Sequence, residues 1–290
     1  MSLYEISTSD WAGPISAEKG PEMLARLERG DVMVLPQLRL AVTPPEQALF
    51  DPAILASAKN ASFDPHTGRL SGTTLDEGRS APLVGLMRRF SDSAASLVSG
   101  LLPRYAPHLV RGRASFRPAE IAGRATSWRK DDTRLHVDSF PATPSGGCRI
   151  LRVFTNVNPD GRPRVWRVGD AFESVASRFA PQLRVPLPGT GHLLAWLRVT
   201  KSPRTAYDAL MLQLHDRMKG DAEFQAKSPQ TEVAFEAGTT WLTFTDEVSH
   251  AAMSGQYQLE QTFLLPVEAM LTPERSPLRI LERIKGRLLV

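Results

Sequence analysis

Between Arg111 and Pro266 the chain is written in short alternating runs, and no other feature constrains its fold as much. The runs are RASFRP (113–118), TRLHVDSF (133–140), RILRVFTNVN (149–158), RVWRVG (164–169), TEVAFEA (231–237), TTWLTFTD (239–246) and LEQTFLLP (259–266). Gly, Pro, Asn and Asp separate them. Many short strands punctuated by turn residues predict a β-sandwich or jelly roll. From about 191 to 226 the apolar period becomes helical (HLLAWLRVT, then YDALMLQLHDRMKG), which predicts a helical insertion packed on the barrel. The first 110 residues look α-rich. Pro21 to Arg29 reads as a helix closed by Gly30, 31–38 as a strand, and Ala81 to Leu102 as a helix with Leu83, Leu86, Met87, Phe90, Ala94 and Leu97 on one side. The expectation is an α+β chain forming one domain over 1–290. It has an α-rich support at 1–110, a cupin-like double-stranded β-helix at 111–270, and a C-terminal basic amphipathic helix at 271–290.

Within the second run, Leu135-His136-Val137-Asp138 places an imidazole and a carboxylate two residues apart, and His250 follows the sixth run far downstream. On a strand, residues i and i+2 share a face, so His136 and Asp138 can reach one ion; on a helix they would diverge. Two histidines and one carboxylate are the donor set of a mononuclear non-haem Fe(II) site, which leaves three coordination positions for a co-substrate and O2. A jelly roll brings strands distant in sequence into one sheet, so the gap to His250 is no obstacle. His66, His108, His192 and His215 have no partner at ligand spacing and read as structural or surface residues.

If the co-substrate is 2-oxoglutarate, its distal carboxylate needs a cation. The ten residues after His250 offer none. Alternation over 149–156 puts Arg152 and Asn156 on one face and Arg149 on the other. Arg152 is the first choice, Arg149 the reserve, with Asn156 and Gln261 as further contacts. Net charge is +4, and after residue 100 arginine supplies most of the positive charge. Arg129, Lys130, Arg134, Arg162, Arg164 and Arg167 flank the expected mouth of the site as candidate contacts for a polyanionic substrate. The single cysteine, Cys148, excludes an internal disulfide. No apolar run is long enough to span a bilayer as a helix and the N-terminus lacks a secretory pattern, so a cytoplasmic location is expected. G-x-x-x-x-G-K-[ST], G-x-S-x-G and C-x-x-C are absent, which argues against P-loop NTPases, elbow-type serine hydrolases and zinc ribbons. In the last segment Leu278, Leu281, Ile284 and Leu288 share one side and Arg279, Arg283 and Arg287 another, a pattern that fits an anionic membrane surface or the chain's own core.

The blocks WRKDDTRLHVDSF (128–140), RVFTNVNP (152–159) and TDEVSHAAMSGQY (245–257) resemble the 3-deoxy-D-manno-oct-2-ulosonic acid (Kdo) hydroxylases, Fe(II)/2-oxoglutarate dioxygenases of Gram-negative bacteria. The resemblance runs from about Arg29 to Pro266. It implies a double-stranded β-helix with His136, Asp138 and His250 as iron ligands, and Fe(II), 2-oxoglutarate and O2 as cofactor and co-substrates. The implied reaction is hydroxylation at C3 of a Kdo sugar in the lipopolysaccharide inner core to give Ko, with release of succinate and CO2. The partner so implied is Kdo-lipid A or a related precursor, met on the cytoplasmic face of the inner membrane; no nucleic acid is expected. The readings that remain beside it are a hydroxylase of another substrate on the same fold, a non-enzymatic cupin-like binding protein, and a Zn or Mn hydrolase with the same ligands.

Overall fold

The structure is a computed structural model that describes residues 2–13, 20–56 and 59–290. In chain order its strands are β1 Leu3–Glu5, β2 Val32–Leu35, β3 Ala61–Phe63, β4 Leu70–Ser71, β5 Val110–Arg117, β6 Arg149–Asn156, β7 Arg164–Val168, β8 Thr231–Phe235, β9 Thr240–Phe244, β10 His250–Ser254 and β11 Gln258–Leu265. The α-helices are α1 Gly20–Leu27, α2 Pro44–Gln47, α3 Glu77–Leu101, α4 Phe172–Phe179, α5 Thr190–Trp196, α6 Ala206–Gly220, α7 Ala222–Lys227 and α8 Pro277–Lys285.

Eight strands form one sheet in the order β1-β2-β9-β6-β11-β5-β3-β4, and β10-β7-β8 form a second. Side chains alternate between two cores. Val32, Val34, Phe154 and Trp241 meet Trp166, Val233 and Phe235 of the small sheet. Leu35, Leu151, Val153, Leu242, Phe244, Leu259 and Phe263 turn to the opposite side and join the α3 residues Leu83, Leu86, Phe90, Ala94 and Leu97. The large sheet is therefore buried on both faces, and central strands such as TWLTF (β9) read as near-continuous apolar runs.

Several expectations change. First, residues 1–110 are more than a helical support: β1 to β4 all belong to the large sheet, and β2 pairs antiparallel with β9. Second, α3 begins at Glu77, four residues before the apolar period starts, because the Asp76 side chain accepts from the Arg79 N–H at 2.8 Å and caps it. Of the two readings left open for the last segment, α8 takes the second and packs its apolar side on the chain's own core. Leu278 and Leu281 are buried and Ile284 half-buried, Arg283 pairs with Glu173 of α4 at 2.7 Å, and Leu288 lies past the end of the helix and is exposed. The helical insertion is longer than expected. It opens with α4, whose Phe172, Val175, Ala176 and Phe179 form an i, i+3, i+4, i+7 stripe. Gln225 of α7 reaches back to the segment ahead of His136: its Oε1 accepts from Leu135 N–H at 2.8 Å and its Nε2 donates to Leu135 O at 3.0 Å.

Candidate metal centre and active-site cavity

The segment 133–140 forms no ladder strand, contrary to expectation. It runs extended and touches the chain around residue 250 through a two-bond bridge: His136 N–H donates to His250 O at 3.0 Å and His250 N–H to His136 O at 2.9 Å. Such a pair sends both side chains to one side. Asp138 N–H donates to Thr245 O at 2.8 Å, which carries the extended geometry two residues further. Hence the three side chains converge. One donor atom from each of His136, Asp138 and His250 lies within 4.8 Å of the others, and His136 Nε2 stands 3.8 Å from Asp138 Oδ1.

Backbone contacts select the tautomers. Nδ1 of His136 is 2.7 Å from Arg134 O, and Nδ1 of His250 is 2.7 Å from Val248 O. Each Nδ1–H donates to a carbonyl, so each Nε2 keeps its lone pair for an ion. Burial pushes both imidazoles below their usual pKa, toward the neutral form that binds metal. Burial opposes ionisation of Asp138, but Arg152 Nη1 at 3.3 Å and the two imidazoles outweigh it and hold the carboxyl well below its usual range. Trp166 stacks on His250 at 5.0 Å between centroids. His215, read as structural or surface, stands edge-on to His136 at 5.3 Å. Three preformed donors of N, N and O type, with the rest of the sphere open to a cavity, fit a mononuclear Fe(II) ion.

The cavity above the triad measures about 140 Å³ and is lined among others by Arg117, Arg152, Phe154, Arg164, Trp166, Gln258 and Glu260. Ten buried side-chain polar atoms among the described residues lack a hydrogen-bond partner; five of them (Asp138 Oδ2, Arg152 Nε, Arg164 Nε, Trp166 Nε1 and Gln258 Oε1) belong to residues of this one cavity. Unpaired buried groups are rare and costly, so their clustering marks a ligand site. The three arginines differ in what they already hold. Arg117 grips Glu260 through two bonds at 2.9 and 3.1 Å. Arg152 lies between Asp138 at 3.3 Å and Glu260 at 3.6 Å. Arg164 has no carboxylate within 4.0 Å among the described residues; its Nη1 donates to Gly255 O at 2.6 Å. Burial, and the nearby Arg117 charge, push its guanidinium pKa down. Gly255 permits this contact: at φ +105° a Cβ would fall 2.9 Å from Pro163 O and 3.0 Å from Arg164 Cα.

Of the other expected co-substrate contacts, Arg152 faces the cavity and three do not line it. Arg149 points to the opposite side of the sheet, fully buried, with Nε 2.8 Å from Asp246 and Nη2 bonded to Glu247. Gln261 also faces away: its amide bonds Ser91 and the carbonyls of Gly112 and Thr262. Asn156 spends its amide on Arg162 O, Phe235 O and Asn158 N–H. Arg149→Met is accordingly expected to lower stability by about 3–5 kcal/mol, because Asp246 and Glu247 would stay buried without their counter-ion. A urea midpoint unchanged from wild type would contradict this.

Among the expected substrate contacts, only Arg164 lines the cavity. Arg129 is exposed, paired with Asp216 and lying over Trp128. Lys130 is exposed, and its carbonyl holds Lys59. Arg134 binds Asp131 and the carbonyl of Lys219. Arg162 is an exposed loop residue, and Arg167 faces outward from β7 toward Glu232. The residues that sequence reading missed are Arg117, Asp132, Gln258 and Glu260. Period two could have found the last pair: Gln258 and Glu260 alternate with Leu259 and Gln261, whose face packs on the core. Nothing local marks Asp132, which gathers Lys59 at 3.0 Å, Arg124 at 3.0 Å, Arg117 at 3.9 Å and Lys219 at 4.0 Å from four separate segments.

The profile of the 3-deoxy-D-manno-oct-2-ulosonic acid (Kdo) hydroxylase family matches residues 10–288. Among solved structures, the Kdo hydroxylase KdoO, a non-haem Fe(II) α-ketoglutarate-dependent dioxygenase, in complex with α-ketoglutarate and Fe(III) is 43% identical. It superposes with a TM-score of 0.96, over 100% of this chain and 98% of that one. KdoO in complex with cobalt(II) is 44% identical, with a TM-score of 0.96 over 99% of this chain and 97% of the other. A search of curated proteins finds no match. On the match of the family profile and on these two likenesses, the chain belongs to the Kdo hydroxylase family.

Proposed function

We propose that this chain is an Fe(II)/2-oxoglutarate-dependent dioxygenase that hydroxylates C3 of a Kdo sugar, giving Ko with release of succinate and CO2. The observation that carries the reading is a buried two-histidine, one-carboxylate set opening into the cavity where Arg164 lies as a buried cation with no carboxylate within 4.0 Å among the described residues. His136, Asp138 and His250 would hold the iron, which supplies O2 activation coupled to decarboxylation of 2-oxoglutarate. Arg164 is the best-supported anchor for the distal carboxylate of that co-substrate, because an uncompensated buried charge gains most from an incoming anion. Arg152 orients Asp138 and, with Arg117, keeps Glu260 ionised: burial opposes its charge, and the two guanidiniums overcome that. Trp166, Phe154 and Phe140 supply apolar walls that exclude water from the reacting centre.

The collar of Lys59, Arg117, Arg124 and Lys219 around the single carboxylate of Asp132 leaves the lip of the cavity positive. That charge suits a sugar acid, and a Kdo unit carried on a lipid A precursor would bring further anionic groups. A hydrolytic reading lacks a base: Glu260 is clamped by Arg117, and Asp132 by Lys59 and Arg124. A pure binding protein would leave the open coordination positions without use. The test is mass analysis of lipopolysaccharide from cells with and without the chain. An inner-core Kdo heavier by one oxygen atom is expected only when the chain is present; identical spectra would remove the Kdo assignment.

A further inference from the structure

Between Glu173 and Asp208 the chain carries five basic side chains, Arg178, Arg184, Arg198, Lys201 and Arg204, and no Asp or Glu. The same stretch holds five of the eleven large hydrophobic residues exposed among those described: Leu187, Leu193, Trp196, Leu197 and Val199, all within thirteen positions. Leu187 is 80% and Trp196 78% exposed. Helix α5, with the sequence TGHLLAW, buries none of its residues. An apolar helix that packs one side on the Arg204 segment and leaves Leu193 and Trp196 bare, beside a concentration of one charge sign, marks an interaction site rather than ordinary surface.

This patch is tied to the lip of the cavity. Arg204 Nη2 donates to Pro141 O at 2.6 Å and Lys201 N–H to Ala142 O at 2.9 Å. The two residues ahead of them, Ser139 and Phe140, line the cavity. Gly191 at the start of α5 lies so close to the Arg204 backbone that a Cβ has no room. The patch and the cavity entrance are therefore joined by direct contacts.

We propose that residues 187–199 dock the protein on an anionic phospholipid bilayer. Leu187, Leu193, Trp196, Leu197 and Val199 lie in the acyl boundary, while Arg184, Arg198 and Lys201 meet the headgroups. Trp and Leu flanked by Arg and Lys are what an interfacial segment requires. A second copy fits less well, because a two-fold interface would set five cations against the same five. The inference deepens the functional reading, on which its purpose rests: docking presents the cavity to a sugar held at the membrane surface.

The test uses the full chain with vesicles of phosphatidylglycerol and phosphatidylethanolamine, and with vesicles of phosphatidylcholine alone. Cosedimentation with the anionic vesicles and a blue shift of tryptophan emission are expected. Trp196→Ser with Leu197→Ser should weaken binding at least about tenfold while leaving the melting temperature unchanged, since both side chains are exposed. Arg198→Glu with Lys201→Glu should weaken binding to anionic vesicles by about tenfold or more. Unchanged binding in both variants overturns the proposal. So does a wild-type dimer that Trp196→Ser dissociates, with no vesicle binding. The two readings fail separately: hydroxylation of detergent-dispersed lipid substrate without vesicle binding sinks only the docking, and vesicle binding without hydroxylation sinks only the Kdo reaction.

Discussion

His136→Ala is expected to abolish iron binding and to lower turnover by at least about a thousandfold. Loss of a group one shell further out already costs about 10–100-fold in affinity or activity, so loss of a direct donor costs more. The fold should survive. The bridge to His250 uses the backbone of His136, not its ring, and alanine keeps both bonds. Two neighbours lose a partner: His250 faces an incomplete donor set, and Asp138 loses one imidazole while keeping Arg152. Iron per chain by elemental analysis, succinate release, and circular dichroism together decide the matter. A folded variant that still turns over 2-oxoglutarate would refute the triad.

Arg164→Gln should raise the 2-oxoglutarate concentration needed for half-maximal rate by about two orders of magnitude. Truncating one member of a buried charge pair costs about 2–5 kcal/mol, and the lower half of that range corresponds to this loss. Iron content should not change, because Arg164 touches no member of the triad. The variant also distinguishes anchoring from structural support. In the absence of co-substrate, Arg164 is an uncompensated charge, so replacing it with a neutral amide should leave the melting temperature level or raise it. Were Arg164 only structural, melting would fall and the 2-oxoglutarate requirement would not move. Arg152→Ala should act differently. It releases Asp138 and Glu260, so iron affinity should weaken first. If Arg152→Ala alone raises the 2-oxoglutarate requirement, the anchor lies on β6 rather than on β7.

What could be read in advance followed the range of the physical rule involved. The jelly-roll strands after Arg111 and the α3 stripe rest on local periodicity, and they stand with shifted ends. His136 and Asp138 share a side for the same local reason, even though their segment is held by a bridge and not a ladder. Alternation also sorted Arg152 from Arg149, but it could not say which face was the cavity. Arg149, the reserve, is ruled out because Asp246 and Glu247 enclose it on the opposite face.

The strand at 31–38 is legible and is β2, whereas β1, β3 and β4 carry too few residues to show a period and gain their stability from β2 and β5, distant along the chain. The amphipathic α8 was legible as a helix, while its apolar face turned out to be covered, and the uncovered one belonged to α5. Amphipathicity records that a face will be buried, not against what.

By itself, then, the sequence determined the strand-rich core, the period-two placement of His136 and Asp138, and the surplus of arginine. Tertiary structure alone decided that His250 bridges to His136, that Arg164 is the cavity arginine without a carboxylate, and that Leu187 to Val199 stay bare beside the entrance. The reason is distance along the chain. Backbone geometry dictates which neighbours share a face, whereas charge compensation and burial depend on groups tens of residues apart that meet only once the sheets close.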